Sequence, residues 1–220
     1  MPADRNPRIP SLAVTRLVLA SASPARLATL RRAGLAPEVV VSRVDESGVD
    51  EGFPEATALV LAGLKARAVA AGLDGPAVIV GCDSVLDLDG ETHGKPGTPA
   101  EAVSRWRRMR GHNGVLHTGH HVIDTRTGRE ASAVASTRVH FADVSDAEIE
   151  AYVATGEPLV VAGGFTVDGL GGAFVEGVEG DHHNVVGISL PLLRRLLADL
   201  GVTWTDLWAR RPGPGPAGPE

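Results

Sequence analysis

Short apolar runs alternate with helix-start signals from one end of this sequence to the other, and few folds satisfy that pattern. Thr15–Ala20 (TRLVLA) is short and apolar, the length of a buried strand, and it runs into Ser21-Ala22-Ser23-Pro24. Ser23 is a good N-cap and Pro24 suits the first helical position, so a helix follows with Leu27 and Leu30 inward and Gly34 closing it. The same grammar recurs. Pro54 opens a helix over 55–71 that Gly72 ends, Ala77–Cys82 is a second buried strand with Asp83 just past it, and Asp89-Gly90 turns a hairpin. Thr98 and Glu101, then Ser145 and Glu148, have capping-box spacing; their helices end near Gly111 and Gly156. Residues 114–125 and 131–141 form two strands around Thr125–Gly128, Val160–Gly180 holds strand-like pieces among glycines, and Ser189–Leu200 is a last helix with Leu190, Leu193 and Leu197 inward. Strands and helices mixed along the whole length predict an α/β protein with a partly antiparallel sheet.

Composition narrows the class. Hydrophobic residues are 43% and charged residues 22% of 220, so the chain can build one sizeable core or two lobes. We expect one unit over 13–205, with disordered ends at 1–12 and 210–220, the latter rich in Pro and Gly. No apolar run is long enough to span a membrane, and MPADRNPRIP lacks a signal-peptide apolar region. A single cysteine, Cys82, excludes an intrachain disulfide framework and fits a cytoplasmic setting. A net charge of −6 argues against nucleic acid as a partner, so phosphate binding requires cations gathered locally.

Three segments place such groups beside apolar strands. Ser21–Arg26 offers free helix-start N–H groups, hydroxyls and an arginine: a phosphate seat, or only a cap with a surface arginine. Asp83, after its strand, could hold a divalent metal, deprotonate water, or only start a turn. Lys95, between Gly94 and Pro96, sits on a stiff loop within reach of a phosphate, or simply on the surface; the phosphate-loop spacing is absent. Other features favour plain readings. The histidines between His112 and His140 match no zinc spacing, and on a strand His120 and His121 face opposite sides. Cys82 reads as a small buried hydrophobe. Gly169–Gly172 opens no helix and is no dinucleotide fingerprint. Asp87-Leu88-Asp89 has the letters of a nucleotidyltransferase acidic pair but falls in the hairpin.

In order, these segments resemble the Maf (septum formation inhibitor-like) family of nucleoside triphosphate pyrophosphatases. Leu19–Arg26 resembles its L-A-S-x-S-P-R-R signature, Asp45-Glu46 its acidic pair, and Leu61–Ala66 its L-A-x-x-K-A helix. Gly81–Val85 resembles A-D-T-V and Gly94–Pro96 G-K-P; Gly156-Glu157-Pro158, Ala162-Gly163 and Asn184–Gly187 continue the series. The resemblance implies a curved mixed sheet with flanking helices, two lobes around a cleft as in inosine triphosphatase, and a homodimer. It implies hydrolysis between the α- and β-phosphates with a divalent metal, Mg or Mn, and a link to cell division or to removal of unwanted nucleotides. On this chain it makes Asp83 the proton acceptor, Ser21, Ser23, Arg26, Lys65 and Lys95 substrate-binding, and Glu46 with Asp83 the metal partners. Base selection falls to Ala25, Ser84 and Asp168, which replace the family's usual arginine, threonine and glutamine; Asp168, an acceptor, expects a base edge rich in N–H groups. Val160-Val161 replaces the usual D-K. A nucleotide-binding division regulator with little turnover is the alternative. The enzymatic reading requires Asp83, Arg26, Lys65 and Lys95 to meet on one groove.

Overall fold

A computed structural model describes residues 15–49 and 51–209. The expected disordered ends, 1–12 and 210–220, lie outside the described residues. The chain runs β1 (Leu17–Leu19), α1 (Pro24–Arg32), β2 (Glu38–Val39), α2 (Pro54–Gly72), β3 (Val78–Leu88), β4 (Glu91–His93) and α3 (Pro99–Met109). It continues with β5 (Asn113–Asp124), β6 (Arg129–Phe141), α4 (Asp146–Ala154), β7 (Val175–Glu179), α5 (His182–Val186) and α6 (Leu190–Asp199).

One seven-stranded mixed sheet has the order β2-β1-β3-β5-β6-β7, with β4 also paired to β3. β1 pairs with β2 and β3 in parallel; every other pairing is antiparallel. The mixed α/β architecture expected from the alternation is therefore present. Its caps are those read from the sequence: Ser23 accepts from the Arg26 amide at 3.3 Å, and Ser145 with Glu148 closes a complete capping box. The Thr98 box is only half made, because Glu101 turns to Gly97 N and Arg105 instead. Asp89 (φ 55°) and Gly90 (φ 85°) make the expected hairpin turn.

Three expectations are corrected. β3 does not stop before Asp83. It runs to Leu88 because β5 pairs with it from Val78 to Asp87, so Asp83 lies mid-strand. The glycine-rich stretch is mostly 3-10 turns (Glu157–Val160, Ala162–Gly164 and Leu170–Phe174), and only Val175–Glu179 is extended. Left-handed Gly163 (φ 75°) and Gly164 (φ 80°) break any strand there. On α6, Leu193 and Leu197 are fully buried as expected, but Leu192 and Leu196 are buried as well while Leu190 is only partly covered.

Apolar residues divide into clusters strung along the same strands. On one face Leu19, Val80, Cys82 and Val122 pack against Leu30 of α1 and Leu193 and Leu197 of α6. On the other, Val18, Ile79 and Ile123 meet Ala66 and Val69 of α2. At the far ends of β3, β5 and β6, Leu86, Leu116 and Phe141 join Trp106 of α3 and Ile149 and Tyr152 of α4. The result is two lobes joined by continuous long strands. Their junction on β3 falls between Cys82 and Leu86, where Asp83 and Ser84 stand.

Candidate active site

Consecutive strand residues point to opposite faces, so Asp83 and Ser84 serve different neighbours. Asp83 faces α2. Its Oδ1 accepts a hydrogen bond from Lys65 Nζ at 2.5 Å, and the same ammonium lies 2.9 Å from Glu46 Oε1. Lys65 and Asp83 are nearly buried, at 8% and 9% exposure, whereas Glu46 is exposed. The approach needs two glycines. A Cβ on Gly81 or Gly119 would overlap the carbonyl oxygens of Ala62 and Ala58, and Gly119 is the residue directly across the ladder from Asp83. Helix α2 thus rests on bare backbone, which brings Lys65 down to the carboxylate.

Ser84 faces α1 and α5. Its Oγ accepts from Arg26 Nη2 at 2.9 Å and bonds Thr118 Oγ1 at 2.9 Å. Each of the other two Arg26 nitrogens also makes one bond: Nη1 donates to Ser21 Oγ at 3.0 Å and Nε to the Gly187 carbonyl at 2.7 Å. All three acceptors are neutral, and this guanidinium, only 8% exposed, has no carboxylate partner among the described residues. A buried cation without a counterion is costly unless an anion arrives. Ser23 is spent on the helix cap, and Ala25 lies partly exposed on the first turn of the helix.

Cys82 precedes Asp83 on β3 and points to the Ser84 face. Burial pushes its thiol up to about 12, with Arg26, Asp83 and Lys65 all close enough to act on it electrostatically. It is inert, as the sequence reading held. The structure therefore sets Lys65–Asp83–Glu46 and Ser21–Arg26–Ser84 on adjacent residues of one strand, but on its two faces, so the single meeting place of Asp83, Arg26, Lys65 and Lys95 expected from the sequence is corrected: only Asp83 and Lys65 touch.

Lys95 touches neither group. It is exposed and without a hydrogen bond or ion pair among the described residues, on a loop anchored through Gly94 O by Gly163 N (3.0 Å) and Arg105 Nη1 (2.5 Å). Asp168 is exposed too, 3.9 Å from Arg32 on the last turn of α1. Its loop therefore reaches across to the helix that carries Arg26.

The histidines form no cluster like the one weighed from sequence. His120 Nδ1 bonds Thr118 O at 3.0 Å and its Nε2 accepts from Ser189 N at 2.8 Å, while His121 bonds Glu130 on the opposite face. Among the described residues the only group of three or more His, Cys, Asp or Glu side chains close enough to share a metal is Asp181, His182 and His183 at the start of the five-residue α5. A concavity of about 530 Å³ beside α6, lined by Ser132, Leu192, Arg194, Arg195 and Asp199, lies away from Asp83 and Arg26. Sequence reasoning missed Thr118 as a member of the polar scaffold, and named Gly187 only within the family series, with no role. Thr118 and Gly187 carry no local signal, since each acts through a contact made far along the chain.

A mixed sheet with a buried carboxylate–lysine pair on one face of a strand and a buried arginine without a counterion on the other defines an α/β protein with a polar centre suited to an anion. A sequence model described as Maf-like protein matches residues 16–200. The chain belongs to the Maf family. It is 59% identical over 208 residues to a nucleoside triphosphate pyrophosphatase of Salinispora tropica, covering 91% of this chain and 92% of the relative. It is 60% identical over 195 residues to one of Streptomyces coelicolor, covering 88% and 95%. A solved dITP/XTP pyrophosphatase of Mycobacterium abscessus aligns over 59% of this chain and 76% of its own at TM-score 0.37 and 20% identity, a level that adds nothing to the assignment. No described helix is long and apolar enough to cross a membrane.

Proposed function

We propose that this chain is a cytoplasmic, homodimeric hydrolase that cleaves nucleoside triphosphates to the monophosphate and pyrophosphate. The observation that carries the reading is the buried Arg26 without a carboxylate partner, bonded to Ser84, the strand residue next to the buried Asp83 that pairs with Lys65. Relatives that share more than half of their residues with it bear the name nucleoside triphosphate pyrophosphatase.

The chemistry follows from these residues. Water adds to the α-phosphorus and loses a proton to Asp83, the P–O bond bridging to the β-phosphate breaks, and pyrophosphate leaves. Such a reaction depends mainly on positioning and charge neutralisation. Arg26 supplies a fixed cation, its three nitrogens held by neutral acceptors so that its charge is left for the phosphates. Lys95, unpaired on an anchored loop, reaches the phosphate chain as a point charge. Lys65 holds the Asp83 carboxylate in place.

A divalent metal fits the donor set. Glu46 and Asp83 converge on one ammonium, and the second oxygen of Asp83 takes no hydrogen bond from a described residue, so two hard oxygen ligands are available together. When bound, Mg²⁺ or Mn²⁺ would neutralise phosphate charge and lower the pKa of water. Ala25, Ser84 and Asp168 tune the base, with Asp168 favouring an edge rich in N–H donors, as in non-standard or guanine-like nucleotides.

A panel of standard and modified nucleoside triphosphates with Mg²⁺ or Mn²⁺ tests this. Monophosphate and pyrophosphate are the expected products. Diphosphate and orthophosphate would contradict the assigned bond, and tight binding without turnover would leave a regulatory role instead.

A further inference from the structure

The carboxylate of Glu157 is the most heavily engaged acid among the described residues, and nothing in the reaction above uses it. It lies just past Gly156, whose left-handed conformation (φ 78°) ends α4. Its Oε1 accepts from Tyr152 Oη at 2.9 Å, Thr166 Oγ1 at 2.6 Å and Gly171 N at 3.0 Å; its Oε2 accepts from Leu170 N at 3.0 Å. Burial alone would raise its pKa, yet the bonds from Thr166, Leu170, Gly171 and Tyr152 outweigh burial and hold it below the usual carboxylate range.

These donors bracket one residue. Thr166 lies two positions before Asp168 and Leu170 two positions after it, and both are tied to the same carboxylate. Between two fixed points so near in sequence, Asp168 has little freedom to move. Close packing reinforces the clamp: a Cβ on Gly169 would stand 2.5 Å from Glu157 Oε2, and one on Gly171 would overlap the Tyr152 hydroxyl. The far side of the loop faces α1, where Asp168 comes within 3.9 Å of Arg32. A carboxylate that receives four hydrogen bonds, two from backbone N–H groups and two from hydroxyls, is built to hold its neighbours in place.

We infer that Glu157 is a positioning residue for nucleotide selection: by tying Thr166, Leu170 and Gly171 to one carboxylate, it fixes where Asp168 meets the base. This rests on the hydrolase reading and on Asp168 as its base-selecting residue. Glutamine at 157 keeps one acceptor oxygen but turns an N–H₂ toward a backbone amide that also donates, Leu170 N or Gly171 N, so the clamp opens while side-chain volume is kept.

The test compares wild type, Glu157→Gln, Asp168→Ala and the double variant, with kcat and KM measured for each nucleoside triphosphate. Glu157→Gln is expected to raise KM for the preferred nucleotide about tenfold and to reduce its kcat/KM advantage over the next best about tenfold, with kcat within about threefold of wild type. In the Asp168→Ala background the same change should leave the advantage where Asp168→Ala put it. A purely structural role would instead lower all nucleotides alike in both backgrounds, and that result overturns the inference. So does a wild type that does not discriminate, or one whose discrimination survives Glu157→Gln. A wild type without turnover overturns the hydrolase reading itself. If Glu157→Gln fails to fold, Thr166→Val removes a single donor to the same carboxylate, and it must shift the advantage in the same direction by about threefold or more for the inference to stand.

Discussion

At the scale of single residues, the site is a matter of who answers each buried charge. Asp83 is answered by Lys65, and Lys65 also by Glu46. Asparagine at 83 keeps the shape and can still accept from Lys65, but it cannot take a proton from water. Asp83→Asn should therefore fold with an unchanged circular-dichroism spectrum and lose hydrolysis at least about a hundredfold. Wild-type rates in that variant would remove Asp83 from the chemistry. His120 makes a different case, because its burial serves structure. Burial holds its pKa down to about 4, and with Nδ1–H donated to Thr118 O its Nε2 must stay unprotonated to accept from Ser189 N, the N-cap of α6. The folded pKa lies below the ordinary value of 6.5, so between those values the unfolded chain binds a proton that the folded chain refuses. Stability from this residue is complete above about pH 6.5 and falls as pH drops toward 4, by up to about 3 kcal/mol in all. His93 and His117, also lowered by burial, add in the same direction. Urea midpoints measured from pH 7.5 down to 4.5 should decline, and the slope should flatten in His120→Gln; equal slopes would show that His120 carries no share.

Among elements, the seating of α2 decides whether the carboxylate and its lysine meet at all. Gly81 and Gly119 leave the backbone of β3 and β5 bare under Ala62 and Ala58, and Asp83 is the ladder partner of Gly119. Gly119→Ala drives a methyl group into the helix carbonyl and has to lift α2. The expected cost is about 1–3 kcal/mol of stability, since overpacking has that scale, together with a drop in activity as Lys65 leaves Asp83. Thermal unfolding measures the first effect and product release the second; a neutral Gly119→Ala would mean that the helix is not seated as described. The sequence showed where this helix starts, because Pro54 is a local signal, and it showed Lys65 on it. It could not show the seating, since a glycine in a strand reads locally as a bulge or a weak point, and only the partner across the fold makes it a close approach. The same limit explains Asp83. Polar letters after Cys82 look like a strand end, and the β5 pairing that carries β3 onward runs from Asp83↔Gly119 to Asp87↔Val115, roughly thirty positions away in the chain. Ser23, Ser145 and the Asp89-Gly90 turn were legible because each acts within three or four residues of itself.

For the whole molecule, the long strands are the argument. β3 contributes Val80 and Cys82 to one lobe's core and Leu86 and Leu88 to the other's; β5 contributes Val122 to the first and Leu116 to the second. In β6, Ala131 and Ala133 pack on the first core and Val139 and Phe141 belong to the second. Neither lobe can lose its packing without unpairing strands that the other needs, so the two cores should melt together despite their distinct side chains. The groups proposed for catalysis stand at that seam, and a seam that opened independently would separate Asp83 and Arg26 from the Trp106 lobe, which anchors the Lys95 loop through Arg105 and Gly163. Ile149→Ala in the second core and Leu193→Ala in the first, both fully or almost fully buried, should each cost about 2–5 kcal/mol. Each should lower one common unfolding midpoint, with far-ultraviolet circular dichroism and segment-resolved hydrogen exchange giving coincident transitions for α4 and α6. Two separated transitions, with α4 exchanging early in Ile149→Ala while α6 stays protected, would mean that the strands do not couple the lobes. The Lys95 loop would then be held only by its contacts at Gly94, Arg105 and Gly163.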